Sequence, residues 1–126
     1  MSKPVRLLAL WGPPVALMAL IFAFSGMSSD VEERAWWDVA LRKGIHFGEY
    51  ALLCALLFRA LRGRLALAWT LTVLYAVSDE LHQTFVDGRV GTPRDVLIDA
   101  AGALVAALLI RRFAQSQPRS VASSTA

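Results

Sequence analysis

Four long apolar blocks, at residues 5–24, 45–61, 65–85 and 96–110, fill most of this 126-residue chain. A soluble domain of this size spreads its apolar residues in short periodic stripes, whereas a bilayer-crossing helix needs about 20 mainly apolar residues in one run. The first block is almost wholly apolar. His46, Glu49 and Arg59 break the second, the third turns polar after Ser78, and Asp99 interrupts the fourth. The expected fold is all-α: an integral membrane four-helix bundle with short loops and helices at about residues 5–25, 44–61, 65–85 and 93–110. Residues 1–112 then form a single transmembrane domain. Residues 113–126, rich in Ser, Ala and Gln, read as a disordered cytoplasmic tail.

Charge sets the expected orientation. Lys3 and Arg6 precede the first block, Arg59, Arg62 and Arg64 surround the second loop, and Arg111, Arg112 and Arg119 follow the fourth block, with no acid among them. The positive-inside rule places these segments, and both termini, in the cytoplasm (N-in/C-in). All ten acids (Asp30, Glu32, Glu33, Asp38, Glu49, Asp79, Glu80, Asp87, Asp95 and Asp99) fall toward the other side. The net charge of +3 is thus a matter of topology, and nucleic acid is not an expected partner. Residues 7–24 exceed the usual apolar length of a signal peptide, so a retained helix is expected, kinked at Pro13 and Pro14, with neighbours satisfying the freed carbonyls. The single cysteine, Cys54, excludes an intrachain disulfide and reads as a small buried hydrophobe.

Ionisable residues at membrane depth cost free energy and so point to a site. Residues three or four apart share a helix face. Lys43, His46, Glu49, Tyr50 and Leu53 therefore line one face of helix 2, with Thr72, Tyr75, Asp79, His82 and Gln83 on one face of helix 3. Glu80 is turned about 100° from Asp79, toward a flank. Asp95, Asp99, Gly102 and Ala106 line a narrow small-residue face of helix 4, and Gly44 and Gly48 form a further small-xxx-small pair; both patterns allow close helix contact. Thr92-Pro93-Arg94-Asp95 reads as a helix start with a capping box, and Trp36 and Trp37 as an interfacial anchor in the first outer loop.

The chemistry open to this cluster takes several forms. His46-x-x-Glu49 and Asp79-x-x-His82 each offer an imidazole and a carboxylate on one helix face, a pattern with which helical bundles hold a divalent metal. A histidine beside carboxylates is equally a general acid or base, with His82 and Asp79 as the pair, His46 and Glu49 as partners, and Arg89, Lys43 or Arg94 as clamp for an anionic group such as a lipid phosphate. Gln83, Tyr50, Glu80, Asp95 and Asp99 are further candidate binding residues. A small proton-linked carrier is a third form, for which a homodimer is expected. The plain alternative is a non-catalytic structural or interaction protein whose polar residues fix the bundle.

Lys43-x-x-His46-Phe47-x-Glu49-Tyr50, Ser78-Asp79-Glu80-x-His82-Gln83-x-Phe85, Arg89 and Asp95-x-x-x-Asp99-x-x-Gly102, in that order, resemble the VanZ-like family over residues 43–110. The chain departs from the family pattern at Asp87 (proline expected), Asp99 (asparagine common) and Ala106 (glycine frequent). The resemblance implies a small multi-pass protein of the bacterial cytoplasmic membrane. Its partners would be the lipid bilayer and an outer-leaflet lipid or cell-wall precursor, and some members are associated with resistance to teicoplanin, a glycopeptide. The expected role is to modify, bind or shield a cell-envelope component.

Overall fold

The computed structural model describes residues 1–25, 36–86 and 92–117. Within them the chain is all-helical and has no strand: α1 (Lys3–Ser25), α2 (Trp36–Ala60), α3 (Leu65–Thr84) and α4 (Pro93–Ser116). α2 and α3 form a central pair, each packed against all the other helices. α1 and α4 lie on opposite sides of that pair and do not meet among the described residues. Asp30, Glu32, Glu33, Arg34, Asp87, Arg89 and residues 118–126 lie outside the described residues.

Two helices are longer than their apolar blocks. α2 begins at Trp36, so the tryptophans expected in a loop occupy its first turn. Nothing in Trp36–Lys43 breaks a helix, Asp38 complements the dipole in the first turn, and Arg42 pairs with it at 3.4 Å, four residues on. α4 runs to Ser116, carrying Phe113 to Ser116 out of the expected tail and into the helix. Polar composition marked the end of the apolar block, and the helix outlasts it because Arg, Ala and Gln are good helix formers.

α1 runs through both prolines. A proline has no N–H to give the carbonyl four residues back, so Pro13 frees the Ala9 oxygen. Arg59 of α2 supplies the missing donor, with Nη2 2.8 Å from Ala9 O. The expectation that a neighbour satisfies a freed carbonyl is met there. Arg59→Ala is expected to cost about 1 kcal/mol. In a Pro13→Ala background, where an amide again reaches Ala9, the same change should cost nothing. Thermal unfolding of the four proteins checks this, and an equal loss in both backgrounds would refute it.

The α2–α3 connection closes through the helix end itself. Gly63 N donates to Phe58 O (3.0 Å) and Arg62 N to Arg59 O (3.2 Å), the two bonds of a Schellman cap. The cap needs the left-handed region, which Arg62 (φ 56°) and Gly63 (φ 90°) occupy.

The interior is built from small and polar residues. Tyr50, Leu53, Leu57, Ala68, Ala76 and Ile21 pack α1, α2 and α3 together. Cys54, Ala103, Ala106 and Ala107 pack α2 on α4. At Gly102 the two backbones nearly touch: a Cβ there would lie 2.3 Å from Phe47 O. Gly44 and Gly48 behave otherwise. Both are exposed and a Cβ on either meets nothing within 4 Å, so among the described residues the close contact is made by the α4 stripe and not by that pair. Large apolar side chains point outward, Leu8 73% and Leu97 70% exposed, while Asp79 (2%) and Asp99 (1%) are buried. Among the described residues one helix, α1, is long and apolar enough to cross a membrane by length and composition; α2, α3 and α4 each carry carboxylates within the helix.

Candidate functional site

The polar residues of α2 meet partners on α4 and α3 in succession down one face. Lys43 Nζ donates to Asp95 Oδ1 at 2.8 Å. One turn deeper, His46 Nδ1 lies 3.6 Å from Asp99 Oδ1, within ion-pair reach but beyond a good hydrogen bond. A further turn on, the Tyr50 hydroxyl donates to Asp79 Oδ2 at 3.2 Å. Spacings of three and four residues keep all three on one stripe of the helix. Asp79 extends the network, because Gln83 Nε2 lies 3.3 Å from both Asp79 Oδ2 and Ser25 Oγ, which brings in the end of α1.

The start of α4 caps the seam. Thr92 takes the extended conformation of an N-cap residue with Pro93 next, but its hydroxyl makes no bond to the helix amides. It donates to Asp95 Oδ2 at 2.9 Å instead, so the expected capping box does not form. Lys43 holds the Asp95 carboxylate over the seam, where the Thr92 hydroxyl meets it before any amide. The free Thr92 N–H goes to Glu80 Oε2 at 3.1 Å. Glu80 is therefore buried against the N-terminus of α4, where a carboxylate suits the helix dipole, and its flank of α3 is the one that faces α4.

His82 is not part of this seam. Its ring stacks on Phe22 of α1, centroids 4.1 Å apart and 17° between planes. Each residue turns a helix by about 100°, so His82 stands about 60° to one side of Asp79 and Glu80 about 100° to the other. Tyr75 shares the His82 side and donates to Met18 O of α1. Among the described residues His82 and Asp79 form no ion pair, and His82 Nδ1 is buried without a partner. The acid/base pair that the geometry offers is His46 with Asp99. The divalent-metal set His46, Glu49, Asp79 and His82 is not assembled, since among the described residues no three such groups are placed to hold an ion.

Glu49 is half-buried beside His46, and Arg94 is exposed. The anion clamp expected of Lys43 is already engaged by Asp95, and Arg89 lies outside the described residues. Ser25 and Thr92 join the network without having been singled out as site residues; a lone hydroxyl at the end of an apolar helix was the available signal for Ser25. The seam can exchange a proton at His46, whose side chain is 29% exposed, and can accept hydrogen bonds from a guest.

No curated protein and no solved structure matches the chain. The VanZ/LLP1 family model matches residues 6–114, from the first turn of α1 to the last turns of α4. The whole polar seam falls within that span, and the chain belongs to the VanZ/LLP1 family.

Proposed function

We propose that this chain is an integral protein of the bacterial cytoplasmic membrane, with residues 1–112 as one four-span domain and both termini inside. It receives the polar part of a cell-envelope amphiphile at an outward-opening seam of Lys43, His46, Glu49, Tyr50, Asp79, Glu80, Gln83, Asp95 and Asp99. By that binding it alters susceptibility to envelope-directed antibiotics such as teicoplanin. The observation that carries this reading is the inside-out side-chain distribution: buried carboxylates against exposed Leu8, Leu74, Leu97 and Leu109. Water penalises such an arrangement and a bilayer rewards it. Charge supports the orientation, because Lys3, Arg6, Arg59, Arg62, Arg64, Arg111 and Arg112 gather at the end opposite the seam.

The test is expression in a glycopeptide-sensitive bacterium, recording teicoplanin susceptibility together with membrane abundance. Wild type is expected to protect. His46→Ala and Asp79→Asn are expected to lose protection at normal abundance, and His82→Ala, whose ring faces α1, to keep it. Protection that falls only in step with abundance would favour a non-catalytic scaffold over a binding site. No protection by an abundant wild type would sink the antibiotic link.

A further inference from the structure

Each deeply buried carboxylate of the seam is satisfied on one side only. Asp79 Oδ2 accepts from Tyr50 and Gln83, while Asp79 Oδ1 is buried with no donor. Asp99 Oδ1 faces His46, while Asp99 Oδ2 is buried with no donor. An acceptor taken from water and left unpaired loses its full hydration, so two in one seam call for a donor. Among the described neighbours Lys43 serves Asp95, the Thr92 amide serves Glu80 and Tyr75 serves Met18, while Trp69 Nε1 and His82 Nδ1 are buried without making a bond to either carboxyl. No lysine or arginine is buried among the described residues.

The two orphan oxygens belong to neighbouring partners. His46 and Tyr50, which hold Asp99 and Asp79, are one turn apart on α2, with ring centroids 6.5 Å apart. Just beyond Asp99, the approach of Gly102 to Phe47 leaves not even a methyl's room between α2 and α4. A guest must therefore be small at its tip and enter from the Lys43–Asp95 end. Protonation of one carboxyl would remove its charge but leave the other buried carboxylate ionised. A metal ion needs more converging ligands than the described residues place here. A primary ammonium brings positive charge and N–H donors on one compact atom.

Building on the reading of this seam as a binding site, we propose that it takes a primary ammonium group, held by the free oxygens of Asp79 and Asp99. A lipid headgroup, an amino sugar and a free amine all present this chemistry.

The experiment follows thermal unfolding of the purified full-length chain in phosphatidylcholine nanodiscs with added methylammonium, tetramethylammonium or phosphate. Methylammonium is expected to raise the midpoint saturably. Tetramethylammonium, which has the charge and no N–H, is expected to leave it unmoved, as is phosphate. Asp79→Asn and Asp99→Asn should each weaken the methylammonium response about 30-fold or more. In phosphatidylethanolamine nanodiscs, a raised midpoint with a blunted response to methylammonium would identify the lipid headgroup as the source. An unchanged midpoint and response there would identify a soluble amine. Equal responses to the two cations, or none to either, would overturn the proposal on wild type alone, whether or not the Asn variants fold. If teicoplanin protection still depended on Asp79 in that case, the ammonium assignment would fall and the envelope reading would stand.

Discussion

Gly102→Ala should be the most damaging glycine-to-alanine change among the described residues. Its methyl would sit 2.3 Å from the Phe47 carbonyl oxygen, and a backbone oxygen in the middle of α2 cannot swing aside. Relief requires α2 and α4 to separate along the contact that sets the seam. Overpacking of this kind costs about 3 kcal/mol, at the upper end of the usual range because the obstacle is main chain. Separation would also lengthen Lys43–Asp95 and His46–Asp99, which lie on the same pair of helices. The control is built into α2: Gly44→Ala and Gly48→Ala meet open space and should stabilise by about 0.5–1 kcal/mol through helix propensity alone. Thermal unfolding in mild detergent decides between these signs. A Gly102→Ala protein as stable as wild type would show that the helices do not approach as described.

Tyr50→Phe is expected to cost about 1.5–3 kcal/mol, because it removes a hydroxyl donor from a buried carboxylate without removing the carboxylate. Tyr50 is 0% exposed and Asp79 2%, so water does not substitute freely. Gln83 would remain as the donor to Asp79 Oδ2, at 3.3 Å. In an Asp79→Leu background the hydroxyl has no carboxylate to serve, and the same change should cost little. A double-mutant cycle then gives a coupling of about 1–2 kcal/mol. Strict additivity would mean that the 3.2 Å contact contributes nothing to stability.

Run length and helical period were enough to read the helices and most of the seam from the sequence. The i, i+3, i+7 stripe of Lys43, His46 and Tyr50 faces Asp95, Asp99 and Asp79 as a shared face requires, and the small residues of α4 make the tight contact. What escaped was azimuth. A face spanning Tyr75, Asp79, His82 and Gln83 covers about 100° of arc, enough for its two edges to meet different neighbours. His82 and Tyr75 went to α1, and Asp79 and Gln83 stayed in the seam. The small-residue face holding Gly102 is the stronger of the two close-contact patterns in the sequence, and which helix it meets is settled only by what lies opposite. Composition alone does not place the start of α2, because polar residues and tryptophans suit an interfacial loop and a short surface helix equally.

α1 does not itself encode which way it faces. Its apolar residues run all the way around, so oil-like packing gives nearly the same free energy at every rotation about its long axis. The degeneracy is lifted by a few directional contacts: Arg59 on the Ala9 carbonyl, Tyr75 on the Met18 carbonyl, His82 against Phe22, and Gln83 on Ser25. Two of these grip backbone oxygens, which apolar substitutions in α1 leave in place so long as Pro13 keeps the Ala9 oxygen free. The rotational setting of α1 is thus written mainly in α2 and α3, and α1 can drift in sequence, apolar for apolar, while still docking in a single pose.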